Sequence, residues 1–274
     1  MLKSKITNIE EEMSLNDKEQ KIFLDRLKLK KQKPTYSYLC KIILNFFELV
    51  PFQNISMLTD QRKRPSIRKI KDDILIGIGG LCTVRNPFLY FFLHSLGFNV
   101  KFASGSMQEE DCHICLIVKI GTDEYWVDVG NGYPYLSPIK LGDNIEINHP
   151  FISYRLFEKN DIWHVQHLRP KEKIWKTNYT FKSEGVPYSF FDRMHHFHYT
   201  VPGWGPFLTG IRINRWWKDG GLIIRDTRAF SPEGEIELNS PKEMQFWIEK
   251  WFLEDFFTNI NIKKAWKIWK EGDK

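Results

Sequence analysis

The stretch Gly79-Gly80-Leu81-Cys82-Thr83-Val84-Arg85-Asn86, GGLCTVRN, sets a cysteine two residues after a glycine pair, and the segment after it, PFLYFFLHSLGF, reads as a largely apolar helix. Pro87 falls near the first turn of that helix and Gly97 supplies its stop signal. Cys82 therefore stands at a helix start. Free N–H groups and the macrodipole favour an anion there, and such thiols ionise below the free value of about 8.5. The same position also suits a small buried residue in a tight turn, and position alone does not separate the two readings.

Working outward, the chain upstream reads mainly as helix. Asp17–Leu29 carries Ile22, Phe23, Leu24 and Leu27 among charges, and Thr35 caps a second helix in which Leu39, Ile42, Ile43, Phe46 and Phe47 recur at helical spacing. After Gly97 the pattern changes to strands. ICLIVKI and EYWVDVG flank a Gly121-Thr122-Asp123 turn, FISYRLFEKNDIWHVQHL turns at Asn160-Asp161, IWKTNYTF alternates, and IRINRWWKDGGLIIRDTRAF turns around Asp219-Gly220. A closing helix follows Ser240, with Met244, Trp247, Ile248, Trp251, Phe252 and Phe256 on one stripe and Glu243 placed to complete a capping box. Short strands in series argue for a barrel or sandwich. The expected organisation is α+β: helices over 1–100, strands over 101–205, strands plus helix over 206–274.

The bulk properties narrow the function classes. A chain of 274 residues with 42% hydrophobic and 27% charged content is that of a soluble globular protein with a sizeable core. The formal net charge of +6 is spread along the chain, and no zinc-finger spacing or RNA-recognition signature accompanies it, so nucleic acid is not the expected partner. A polyanionic small molecule would suit the same excess. The start, MLKSKITNIEEEMSLND, has no apolar core of a secretory signal, and no stretch has the length and apolarity of a membrane span. Four cysteines, Cys40, Cys82, Cys112 and Cys115, do not make a disulfide scaffold in a chain this long. The expectation is a reducing, cytoplasmic location.

A cysteine nucleophile needs a base, and the base needs an orienting acceptor. His113 opens the strand HICLIVKI just after Glu109, Glu110 and Asp111, where it can form a cleft wall. Asp128 sits in EYWVDVGNG, where a carboxylate among apolar residues is costly unless paired; the bland alternative is a strand-end turn with Gly130. His113 and Asp128 fall on adjacent strands of one hairpin, within reach of each other. His94 reads as structural, and His149, His164 and His167 as solvated. His195, His196 and His198 imitate a metal site but lack a carboxylate or cysteine set, and Cys112-x-x-Cys115 has no second pair, so no metal is expected.

These segments together resemble the arylamine N-acetyltransferases. The family's R-G-G-x-C-x-E-x-N is similar to IGGLCTVRN, its H-x-x-L-x-V to HICLIV, its V-D-V-G-F-G to VDVGNG, and its P-F-E-N-L to PFQNIS; GPFLTGIRINRWWKDGGLIIRDTRAF looks like its F-T-x-x-L hairpin. The matches run in order from about Pro51 to Phe230. The resemblance implies a helical bundle, a β-barrel and an α/β lid. It implies a catalytic triad of Cys82, His113 and Asp128, with Cys82 taking acetyl from acetyl-CoA and passing it to an arylamine or arylhydrazine. It also implies that Gly130, Asn131 and Gly132, together with Thr209, line the cleft for coenzyme A or acceptor. The same triad order serves thiol hydrolases and amide-exchanging enzymes of the papain or transglutaminase kind, and a binder on the same fold is a third reading. The sequence departs from the family pattern at Ile78 (family Arg), Val84 (Glu), Gln53 (Glu) and Asn131 (aromatic); the first three together read as one correlated exchange of ionic for neutral groups.

Overall fold

A computed structural model describes residues 13–60, 62–231 and 234–271. The reading of residues 1–12 as lacking a secretory signal lies outside the described residues.

The first helices follow their sequence signals. Helix α1 (Asp17–Arg26) opens with a capping box between Asn16 and Glu19, and α2 (Tyr36–Leu49) with the Thr35 side chain accepting the Tyr38 N–H. Two shorter helices follow, α3 (Ile55–Thr59) and α4 (Ile67–Leu75). Helix α5 (Cys82–Ser95) is buried along most of its length. Pro87 lies in its second turn rather than its first, where it has no N–H for the Thr83 carbonyl. Phe23 of α1 meets Phe88 and Phe92 of α5 edge-on at 4.7 and 4.9 Å, which locks the helix that begins at Cys82 into the main core.

Eight antiparallel strands then form a curled half-barrel: β2 (Asn99–Ser106), β3 (His113–Ile120), β4 (Asp123–Val127), β5 (Ile139–Lys140), β6 (Ile147–His149), β7 (Ile152–Lys159), β8 (Ile162–Leu168) and β9 (Lys176–Phe181). Their spatial order is β5-β4-β3-β2-β9-β8-β7-β6. Asn160 and Asp161, at φ 54° and 60°, make the tight turn between β7 and β8. A short 3₁₀ turn (Tyr188–Phe191) and α6 (Asp192–Thr200) lead to the second sheet, which contains β10 (Arg212–Trp217), β11 (Gly220–Arg225), β12 (Arg228–Ser231) and β13 (Gly234–Glu237). Helices α7 (Pro241–Trp251), α8 (Glu254–Asn259) and α9 (Ile262–Glu271) complete the described chain. Among the described residues no helix is long and apolar enough to cross a membrane.

Three sequence expectations need correction. Strand β1 (Phe52–Gln53), from the helical section, pairs with β10, so the C-terminal sheet is not built from its own segment alone. The β10–β11 turn is Lys218-Asp219, because Gly220 already pairs with Trp217. His149 and His167 are buried, not solvated. The two-residue period of β8 turns His167 inward with Trp163 and Val165, where it bonds the Tyr135 hydroxyl. His149 Nε2 bonds the Trp217 carbonyl at 3.0 Å and its ring meets Trp216 edge-on.

Candidate active site

The turn before α5 is held by close backbone packing. Gly79 has φ +77°, and a Cβ there would lie 2.0 Å from the Pro51 carbonyl oxygen, so only glycine fits. The Gly80 N–H donates to that same oxygen at 3.3 Å, and the Gln53 N–H donates to the Gly80 carbonyl at 3.2 Å. Asn54 extends the clamp to the C-terminal sheet: its Nδ2 reaches the Phe207 and Gly210 carbonyls at 2.6 Å each, and its Oδ1 accepts the Arg212 N–H at 2.8 Å. The PFQN segment therefore ties the start of α5 to the second sheet.

Cys82 is the first residue of α5 and is buried. His113 opens β3, and its Nε2 lies 2.7 Å from Asp128 Oδ2. Cys82 and His113 line the same cavity, and Cys82 is among the groups that act on the His113 ring. Burial alone would disfavour the imidazolium, but the Asp128 charge and hydrogen bond, with Cys82 beyond them, raise the His113 pKa to about 10. Burial likewise works against the Asp128 carboxylate, yet His113, Asn86 and Tyr179 hold it below its ordinary value. This arrangement favours the imidazolium form of His113 beside the Asp128 carboxylate.

Asp128 is held by further donors. Asn86 Nδ2 and the Gly130 N–H reach Oδ1 at 2.9 and 2.8 Å, and the Tyr179 hydroxyl reaches Oδ2 at 2.8 Å. Asn86 also accepts the Val129 N–H and donates to the Ile114 carbonyl, so it bolts α5 to both strands of the hairpin. Gly130 lies against Cys82: a Cβ there would come within 2.6 Å of Cys82 Cα.

Cys82, His113, Gly130 and Asn131 line one cavity of about 570 Å³, closed on the far side by His198, Trp204 and Phe207. Asp128 stands behind His113. Gly132 faces elsewhere: its carbonyl accepts from Asn214 and Trp216. Thr209 follows Phe207 in the chain but is not among the residues lining the cavity. The histidine cluster divides: His195 Nδ1 bonds the Phe191 carbonyl, whereas His198 faces the site. Among the described residues no group of His, Cys, Asp and Glu has the make-up of a metal site.

Sequence reasoning assigned no role to Asn86, Tyr179, His198 or Arg85. Asn86 had a signal, because it follows Cys82 by four residues and shares its helix face. Tyr179 had none, since β9 reaches Asp128 only through the order of strands in the sheet.

The family model described as N-acetyltransferase matches residues 35–259. The chain belongs to the arylamine N-acetyltransferase family. It is 26% identical over 141 residues to an arylamine N-acetyltransferase of Escherichia coli, a match covering 48% of this chain and 50% of that one. Against human arylamine N-acetyltransferase 1 it is 26% identical over 165 residues, covering 56% and 57%. The chain thus spans about half the length of the curated relatives it matches. Solved structures extend the likeness in fold. The Salmonella typhimurium arylamine N-acetyltransferase superposes with a TM-score of 0.81 at 17% identity, over 92% of this chain and 98% of that one. The Mycobacterium marinum arylamine N-acetyltransferase in complex with CoA gives 0.76 at 19% identity, over 90% and 96%.

Proposed function

We propose that the chain is a ping-pong acetyltransferase that moves an acetyl group from acetyl-CoA, through a thioester on Cys82, to the nitrogen of an arylamine or arylhydrazine. The observation that carries this reading is the His113–Asp128 hydrogen bond at 2.7 Å, with Cys82 and His113 lining one cavity of about 570 Å³. Family membership and the CoA bound in the M. marinum structure support the choice of donor, as does the net charge of +6.

The residues divide the work. His113 Nε2–H donates to Asp128, and transfer of the Cys82 proton to Nδ1 gives the imidazolium that Asp128 stabilises. The thiolate attacks the thioester carbonyl, and the N–H groups of Cys82 and Thr83, which have no acceptor within the helix, hold the oxyanion. The carbon–sulfur bond to coenzyme A breaks, and the departing thiolate takes the proton from His113. In the second half-reaction an amine attacks the acyl-cysteine, His113 removes an amine proton, and the Cys82 thiolate leaves. Gly130, Asn131, Trp204 and Phe207 shape the acceptor side of the cavity.

Cys112 also lines the cavity, which makes the assignment testable. Burial pushes the Cys112 thiol up, and Cys115 is pushed much further. Incubation with acetyl-CoA followed by peptide mapping is expected to find acetyl on Cys82 alone, and Cys82→Ser to lose nearly all turnover. Acetyl on Cys112 or Cys115, or on no cysteine, overturns the reading. A wild-type acyl-enzyme cleared by water as fast as by amine would favour a hydrolase instead.

A further inference from the structure

Of the residues from Ile78 to Asn86, only Arg85 carries a formal charge, and it is 1% exposed. It follows Cys82 by three residues on α5, a spacing that makes the two side chains neighbours on the helix surface, with Cβ atoms ~5–6 Å apart. Its guanidinium packs over the rings of Phe46 and Phe47 on α2, at 5.4 and 5.2 Å, and its Nε and Nη2 are buried without a hydrogen-bond partner. A buried cation left in this state is costly unless an anion balances it.

The packed elements leave few candidates for that anion. On α2, Glu48 lies in the field of Arg215. On α4, Asp73 holds Lys69 at 2.9 Å, while Lys71 lies 3.6 Å from Glu19. On the barrel side stand His113 and Asp128, and Asp128 is the charge that acts on Arg85. Burial lowers the Arg85 pKa to about 9, against the pull of Asp128, so the guanidinium stays charged at neutral pH. Of the other groups around Cys82, Tyr188, Tyr199, Cys112 and His198 are neutral there, since burial raises the first three and lowers His198 to about 4; Glu109 lines the same cavity.

We infer that Arg85 is a positioning residue for the thiol chemistry: its buried charge balances the thiolate–imidazolium–carboxylate set and keeps the Cys82 thiolate populated. This inference rests on the ping-pong reading above. A set of thiolate, imidazolium and carboxylate sums to one negative charge in a buried site, and Arg85 brings it to zero. In the acyl-enzyme the thioester and the imidazole are neutral, because the His113 proton has left with coenzyme A. Asp128 and Arg85 then cancel again. Neither half-reaction has to create net charge in the interior.

The test is the pH dependence of Cys82 alkylation by iodoacetamide, which needs no acyl donor, with labelling of Cys82 followed by peptide mass. Arg85→Met is expected to move the midpoint up by about one unit or more, the size of effect an adjacent opposite charge exerts. Below the midpoint that is about a tenfold slower reaction. Arg85→Lys should restore most of the wild-type profile. Folded Arg85→Met with the wild-type midpoint overturns the inference, whatever happens to its thermal stability; if that variant does not fold, Arg85→Gln is judged by the same midpoint. A shifted midpoint in a protein that acetyl-CoA does not acetylate would uphold the role of Arg85 and reject the acetyl donor.

Discussion

Asp128 shows how a buried carboxylate is kept ionised and aimed. Its two oxygens take hydrogen bonds from His113, Tyr179, Asn86 and the Gly130 N–H, all between 2.7 and 2.9 Å. Each donor favours the charged form, which offsets the desolvation that opposes it. Asp128→Asn should leave the hairpin folded but present an amide to His113, lowering turnover on the order of a thousandfold or more. Asn86→Ala should behave differently. It strands the Val129 N–H and removes one of the two donors to Asp128 Oδ1, so a stability loss of about 1–3 kcal/mol should accompany the loss of rate. Urea midpoints and steady-state rates of the two variants check this; an Asn86→Ala protein as stable as wild type would show that water replaces the amide.

At the scale of elements, the turn into α5 is where the chain departs from its family's pattern. Ile78, Val84 and Gln53 are 8%, 6% and 0% exposed. The Gln53 side chain closes a local pair with Ser56, at 2.8 and 3.1 Å, so its neutral group is satisfied where it stands. A single charge introduced at positions this buried is desolvated. Ile78→Arg should therefore destabilise the protein by about 3–5 kcal/mol, and adding Val84→Glu and Gln53→Glu should recover much of that loss. Denaturant midpoints of the single and triple variants decide it: equal midpoints would mean that the introduced charge reaches water. The helix start itself was legible from the glycine pair, the cysteine and the apolar run. The clamp from Asn54 to Arg212 was not, because its partners lie 158 residues apart.

At the scale of the whole molecule, buried histidines set the response to pH. Burial lowers His167 and His198 to about 4 and His195 to about 3. Each is neutral in the folded chain and free to protonate once unfolded, so stability should fall as pH drops from about 6.5 towards 4. His113 works in the opposite sense. Its raised pKa contributes stability that is full below about 6.5 and is lost as pH climbs to about 10. Asp128, held low, contributes above the ordinary carboxylate range and loses that contribution in acid. Urea midpoints measured from pH 5 to pH 9.5 should therefore peak near pH 6.5. His195→Phe should flatten the acid limb and His113→Phe the alkaline one; limbs unchanged in these variants would place the titrating groups elsewhere.

The sequence by itself determined what short-range forces decide. Thr35 and Ser240 cap their helices as their spacing requires. The Asn160-Asp161 turn pairs β7 with β8, and a single hairpin brings His113 and Asp128 close because their strands are consecutive. Cys82 begins its helix where the glycine pair ends. Only the tertiary structure decided which distant groups complete the site. Tyr179 reaches Asp128 because β9 pairs with β2, the strand beside β3, and β1 leaves the helical section to join β10. His149 and His167 looked polar enough for solvent, yet aromatic neighbours from other strands enclose them. Arg85 is one of 40 Lys and Arg spread along the chain, and nothing local marks it as buried. Residue spacing fixes which way a side chain leaves its own helix or strand, but the desolvation and counter-charge it meets there come from elements the local sequence does not contain.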